Sequence, residues 1–500
     1  MHQRSKGIVI SYLKIATNMI CGMILSSVLL RMLGDTEYGI YQTVAAFANN
    51  LVLLEFGVGT VMIRNISMCR ERQNEDEIQR NISTIWTLTW LLSLLLLVAS
   101  ALFYYMIPKF YSKSLSVEQI RHAQHIFVLI SGYLLLNFLI HTINAVIFSF
   151  EDYLYGSLQS ISRILVRTVL LVVLLVWYKN AIVIALVDLV LSAVCITISW
   201  LYCRRKLNVK LRFGEFDPGI LRSSIPLALA IFLQGVVSQA NSNVDKVIIG
   251  VMMTPEMVTL YSVALYIYSI FTSLSNVAAS MYVPTVTQYV GQGRKEKELA
   301  KCLIAPSRLT AIIGGMVLLG FISVGGPFFE ILYGSDYLVA WPLAVILMIP
   351  AYIDAVAGAV VYVLDAMNKR MTRSVVLLLS TTINIILTVI FLPQWGVFGA
   401  AIAAAVCTLI GPVFIMNLYY QKVLKIPMLW LFRQAFRGIL VYLMFGCGVA
   451  FGISNLFDNV YASFLIGGIA FVVISLGGYC MFGMNEEEKR SIKKLLNRNT

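Results

Sequence analysis

An α-helix needs about twenty consecutive, mostly apolar residues to cross the hydrocarbon of a bilayer, and this 500-residue chain supplies such runs from one end to the other. They fall near 8–30, 38–63, 82–107, 122–149, 158–178, 181–203, 223–251, 259–288, 306–332, 342–367, 374–393, 396–420, 434–456 and 460–482. Backbone polar groups have no water to bond inside lipid, so a spanning segment must bond internally, and apolar runs of this length do so as helices. Composition points to lipid as the solvent: 13% of the residues are charged, against about 25% in a soluble domain that must wet its surface. The expected fold class is all-α, a polytopic membrane protein of about 14 transmembrane helices. The first run follows a short basic start but has no small-residue cleavage site after it, so it reads as a retained helix rather than a leader.

A net charge of +13 would suit nucleic acid if it were gathered on one face. Here the Lys and Arg sit in short loops between apolar runs, which is a topology signal, and no nucleic-acid partner is expected. With the N-terminus in the cytoplasm, 29 of the 38 Lys and Arg fall on the inner side, the tail among them. Only Arg31, Lys109, Lys113, Arg121 and Lys179 fall outside, and Lys14, Arg163, Arg167 and Lys246 fall within spans. Miscounting one helix in the middle would scramble this alternation, so an even number of spans with both termini cytoplasmic is expected. The eight cysteines include no C-x-x-C pair and fall in spans or inner loops, so neither zinc nor disulfides are expected.

The chain repeats itself at an offset of roughly 215–220 residues. GDTEYGIYQTVAAF after the first run has a counterpart in MTPEMVTLYSVALY after the seventh, and FEDYLYGSLQSISRILVRTVLLVV has one in LDAMNKRMTRSVVLLLSTTINIIL. Six spans per copy is an even number, so both copies keep one orientation, the parallel-repeat plan of many transporters. The expected organisation is a six-helix bundle over 1–203, a basic cytoplasmic linker over 204–222, a second six-helix bundle over 223–420, and two further helices with a cytoplasmic tail over 421–500. Outer loops stay under about 15 residues, leaving no room for a soluble catalytic domain or a Gly-rich phosphate cradle, so no enzyme is expected.

Four stretches carry a family resemblance: LRMLGDTEYGIYQT at 30–43, SNVDKVIIGVMMTPEMVTLYSVA at 242–264, FFEILYGSDYLVAWPLAVILMI at 328–349 and FLPQWGVFGAAIAAAV at 391–406. In this order they resemble the polysaccharide-export branch of the multidrug, oligosaccharidyl-lipid and polysaccharide exporter superfamily. The resemblance implies two six-helix bundles around a central cavity that opens inward and outward in turn. It also implies a bacterial plasma membrane and the flipping of polyprenyl-pyrophosphate-linked oligosaccharide, with membrane lipids and other polysaccharide assembly proteins as partners. The N-terminal copy departs from the pattern, since YKNAIVIALVDLV stands where the C-terminal copy has the Gly-rich turn of WGVFGAA.

Ionisable residues inside spans seldom face lipid and so mark candidate sites. Lys14 lies about 9 Å and Glu55 about 13 Å from the cytoplasmic ends of the first two spans. They could pair, either as a helix lock or as a gating element. Arg163 and Arg167 share one face at i, i+4, a geometry suited to phosphate oxygens; Arg163 is expected to snorkel and Arg167 to face the cavity. Lys246 completes the candidate substrate-binding set. Asp188, Asp245 and Asp354 join Glu55 as coupling or gating candidates, for protons or sodium, with no other cofactor. Asp354, about 18 Å deep and without a sequence-near cation, is expected to be protonated at rest. His122, His125 and His141 are expected at an interface rather than on a metal. Six prolines, from Pro226 to Pro412, lie in or at the ends of C-terminal spans, and NEEEKRSIKKLLNR is expected to form an amphipathic surface helix. Lipid flipping is the leading reading. An ion-coupled drug antiporter of the same fold is the first rival, and a polyprenyl-dependent membrane glycosyltransferase or ligase is the rival of a different class.

Overall fold

The computed structural model describes residues 2–71, 75–207, 209, 213, 216–292, 296–367, 369–485 and 488–489, with the side chains of 2–12 and a few others left aside. The expected loop cations Arg72, Lys210, Arg212, Arg294 and Lys295, and the tail from residue 490, lie outside the described residues. The described residues are almost wholly helical, and thirteen helices are long and apolar enough to cross a membrane, or fourteen if one bent pair is counted as a span.

The chain folds into two compact units, Met1–Thr259 and Leu260–Thr500. In the first, α1 (His2–Leu33) is followed by α2 (Asp35–Asn49) and α3 (Val58–Glu71), which together make the second span. The long hairpin of α4 (Glu75–Tyr111) and α5 (Val117–Ser149) comes next, then α6 (Tyr153–Trp177), α7 (Ile182–Arg205) and α8 (Pro218–Met252). α9 (Pro255–Ser280) begins in this unit. Local chemistry sets the boundaries. Gly34, at φ 77°, separates α1 from α2, a conformation open to a residue without Cβ. Ser116 and Gln119 cap α5 reciprocally, satisfying amides that the first turn leaves without partners. Asp217 caps α8 with Pro218 at its first position.

α5 packs on α7, α4 and α3, and α1 packs on α6. The core runs through Ile40, Val44, Phe127 and Leu134 at one end and Val61, Ile85, Ile143 and Val146 at the other. α8 belongs here too: it packs on α2, α3 and α4, whereas the repeat places it at the start of the second bundle. Close approach accounts for this, because a Cβ at Gly57 would fall 2.3 Å from Ile231 of α8 and one at Gly250 of α8 would fall 2.7 Å from Thr43. The two repeat-related turns also meet within this unit. Thr36 Oγ1 and Glu256 Oε1 are 2.6 Å apart, and Thr259 Oγ1 donates to the Asp35 carbonyl at 2.7 Å.

The second unit continues through α10 (Val283–Gly291), α11 (Glu296–Cys302) and α12 (Ile304–Tyr333), then α13 (Ala340–Val356), α14 (Gly358–Ala366), α15 (Arg370–Trp395) and α16 (Val397–Thr408). A π-helical turn with Pro412 leads to α17 (Met416–Val423). α18 (Met428–Phe436) and α19 (Leu440–Ser454) are bent by 50° about Gly438, so the expected span 434–456 is the broken pair, and α20 (Val460–Gly478) ends the bundle. Arg308, at the start of the run 306–332, is counted among the inner-side cations, and the structure buries it in α12. It donates to both Glu488 oxygens (2.8 and 3.1 Å) and to the carbonyls of Gln434, Arg437 and Gly483. This fastens the C-terminal helices to α12. Burial works to raise the Glu488 carboxyl, but the bonds from Arg308 outweigh it and hold it below the ordinary range.

Candidate functional site

The polar interior of the first unit is built around a break in its second span. After Asn49 the chain tightens into a 3-10 turn over Asn50–Glu55, then takes two left-handed residues, Phe56 at φ 50° and Gly57 at φ 66°, before α3 begins. A bulky residue seldom occupies that region. Here Phe56 stacks on Phe232 of α8 with ring centroids 4.7 Å apart. The break sets the Glu55 carboxylate in a cavity of about 480 Å³, lined also by Thr60, His141, Asn144 and Gln239. Glu55 Oε2 lies 3.1 Å from His141 Nδ1 of α5, and Gln239 of α8 donates to the Asn49 carbonyl at 2.6 Å. Irregular backbone at membrane depth is tolerated where it is covered by protein or lines a wet cavity.

The expected pairing of Glu55 with Lys14 is therefore corrected: the carboxylate takes His141, and Lys14 lies half-buried on α1. His141 is corrected with it, from an interfacial residue to a cavity residue. Its signal was present, a titratable side chain in mid-run rather than near a run's end as His122 and His125 are. No group of three metal-ligating side chains occurs among the described residues. His122 instead meets Glu37 at 2.7 Å, and Glu37 also accepts from the Ala181 amide.

Arg163 and Arg167 share a face of α6, as their spacing predicts, and that face meets α5 and α7. Arg163 does not snorkel: it donates to Asn137 Oδ1 (3.3 Å) and Ser192 Oγ (2.8 Å) and lies 5.7 Å from the Tyr133 ring centroid. Asn137 sits one turn from His141 on α5. Arg167 forms a two-pronged pair with Asp188, Nε to Oδ1 at 2.5 Å and Nη2 to Oδ2 at 2.9 Å. The structure thus joins two residues that the sequence offered separately as a binding group and a coupling group.

In the second unit Asp354 is not the lone acid expected. Arg373 of α15 meets it at 2.9 and 3.4 Å and donates to the Tyr420 hydroxyl at 2.9 Å, so a cation assigned to a loop is the partner of Asp354. Asp245 is buried and Lys246 half-buried on α8, about 9 Å further along that helix than Gln239. Outside the spans, burial works to raise the Asp152 carboxyl, and hydrogen bonds from Tyr202 and Lys206 prevail to hold it low.

Broken spans, a polar cavity and paired charges, with thirteen or fourteen membrane-length helices among the described residues, define a polytopic transporter fold. The family model described as polysaccharide biosynthesis protein matches residues 5–290, and the chain belongs to that family. Among solved structures, the chain is similar to the lipid II flippase MurJ in an inward closed conformation, with a TM-score of 0.70 and 15% identity over 95% of this chain and 98% of that one. It is also similar to an inward-facing multidrug resistance transporter of the MATE family in the MOP superfamily, at a TM-score of 0.65 and 12% identity over 82% and 95% of the two chains. At these identities the likeness is one of fold.

Among curated relatives, a probable low-salt glycan biosynthesis flippase, Agl15, of Haloferax volcanii is 24% identical over 44% of this chain. That match spans 46% of the relative, less than half its length. The membrane protein EpsK of Bacillus subtilis is 23% identical over 79% of this chain and 78% of its own.

Proposed function

We propose that this protein is a flippase for polyprenyl-pyrophosphate-linked oligosaccharide, carrying it from the inner to the outer leaflet of a bacterial plasma membrane by alternating access, with both termini in the cytoplasm. The observation that carries this reading is the cavity at the broken second span. A sugar–pyrophosphate headgroup cannot cross hydrocarbon without hydrogen-bonding partners, and Thr60, His141, Asn144 and Gln239 offer them at membrane depth. Family membership and the flippase names of its relatives support the same reading. In it, Lys14, Arg163, Arg167 and Lys246 attract the anionic headgroup and Glu55, Asp188, Asp245 and Asp354 serve coupling or gating. A histidine–carboxylate pair in a wet cavity is suited to proton coupling, because histidine changes charge near neutral pH. No covalent step is needed, and membrane lipids and other polysaccharide assembly proteins are the remaining partners.

The test is reconstitution of the full chain in liposomes carrying a fluorescent polyprenyl-pyrophosphate-linked oligosaccharide, with leaflet exchange read by an impermeant quencher under a proton gradient, a sodium gradient or neither. Exchange above that of protein-free liposomes is expected, faster under the proton gradient. Exchange no faster than in protein-free liposomes under every gradient overturns the reading.

A further inference from the structure

A second cavity, of about 280 Å³, adjoins the polar one, and Phe56 lines both. Its wall comes from α3, α4 and the start of α8, with Val61, Leu88, Leu92, Ile225 and Leu229 among its side chains. Only two hydroxyls belong to this wall, and both are already engaged. Thr84 accepts from the Asp217 amide at 3.0 Å; Ser224 accepts from Asn65 at 3.1 Å and donates to the Ile220 carbonyl at 2.8 Å. Nothing in the groove therefore calls for a polar guest. Its rim is open, since Ile225 and Leu229 are each 53% exposed. It lies in the half of the span towards the end of α3 and the starts of α4 and α8, which the charge pattern assigns to the cytoplasmic leaflet.

A polar chamber and a dry groove that share one wall residue fit a single amphiphile lying across that residue. We infer that the groove holds the first isoprene units of the substrate, on the loading side of the membrane, while the pyrophosphate and sugars occupy the polar cavity. This rests on the flippase reading. Lipid tails are as apolar as the groove wall, so the groove gains little by exchanging one hydrocarbon for another. The advantage of the polyprenyl chain is its tether: a headgroup held beside Phe56 keeps the head end of the tail at a high local concentration. Phe56, pinned by Phe232 in its left-handed conformation, is the wall around which the molecule turns.

The experiment uses the full chain in detergent with polyprenyl diphosphate carrying a photoreactive group near the head end of its chain, and maps adducts by mass spectrometry. Adducts are expected around Val61, Leu88 and Leu229, removed by unlabelled polyprenyl diphosphate and not by the same excess of phosphatidylglycerol. Filling the groove with Ala228→Trp should cut these adducts by about tenfold or more while a short-chain diphosphate analogue binds as before. Adducts that map elsewhere, or that phosphatidylglycerol removes equally well, overturn the assignment; the second result would mean an ordinary acyl chain sits there. Because the wild-type map requires no transport, an inactive liposome assay with competed groove adducts defeats the flippase reading alone. Active flipping with adducts elsewhere defeats the groove alone.

Discussion

A guanidinium stays charged wherever it is buried, so Arg373 depends on its acceptors. Asp354 supplies both prongs and Tyr420 a third bond. Removing the carboxylate charge leaves a buried cation uncompensated, a loss of roughly 3–5 kcal/mol, whereas replacing both partners is far milder. Asp354→Asn is expected to lower the thermal unfolding temperature of the solubilised protein, and Arg373→Gln added to it to restore most of the loss. Simple addition of the two losses would show that they do not act as a pair. An Asp354→Asn protein of full stability that has lost only transport would mean that the carboxylate serves coupling without contributing to the stability of the pair. The sequence displayed these charges but not their partners. Arg163 and Arg167 were legible as a shared face because one helix relates them, whereas Asp354 and Arg373 are 19 residues apart and Arg167 and Asp188 are 21 apart, on different helices. Only packing reveals such pairs.

At the scale of elements, the break in the second span rests on Gly57, for two separable reasons: its φ of 66° and its contact with α8. Gly34 supplies the comparison, with a φ of 77° but open space where a Cβ would go. With ψ at 173°, Gly34 lies in a region essentially confined to glycine, so Gly34→Asn is expected to cost about 1–3 kcal/mol through backbone strain alone. Gly57→Asn must in addition displace Ile231 and is expected to be the more costly of the two, by roughly 1–3 kcal/mol, the range for overpacking a tight site. Equal effects at the two positions would mean that backbone conformation, not the approach of α8, sets the requirement at Gly57. Hydropathy located this span but could not show it broken, because LVLLEFGVGTVMI is as apolar through the break as around it. The one visible mark was an acid, Glu55, two residues before a glycine. The bend between α18 and α19 was hidden for the same reason, with Gly438 inside an otherwise helical run.

For the molecule as a whole, the order of spans was legible because hydrophobic length survives without tertiary information, while charge alternation and the internal repeat supply the expected sidedness. The grouping of α8 with the first unit was not legible, since packing at small residues decides it. The expected sidedness follows from the same charge alternation. If the N-terminus is cytoplasmic, the α4–α5 turn is external and the end of α7 internal, and in the second unit the α14–α15 turn is internal and the α19–α20 turn external. Lys113, Arg205, Lys369 and Asp458 mark these four places and are exposed, so a cysteine at each meets solvent without disturbing the core. Against the native chain as a blank, Lys113→Cys and Asp458→Cys should react in intact cells with a membrane-impermeant maleimide. Arg205→Cys and Lys369→Cys should react only after permeabilisation. Agreement in one unit with reversal in the other would mean an odd number of crossings between them, and the two copies of the repeat would then be inverted rather than parallel. Among the described residues, the count of thirteen or fourteen membrane-length helices turns on whether α18 and α19 make one crossing. Asp458 lies beyond that pair and Lys369 before it, so the labelling pattern within the second unit decides the count: α15, the α16–α17 span and a single α18–α19 crossing place Lys369 and Asp458 on opposite sides, and a pair that fails to cross places them on the same side.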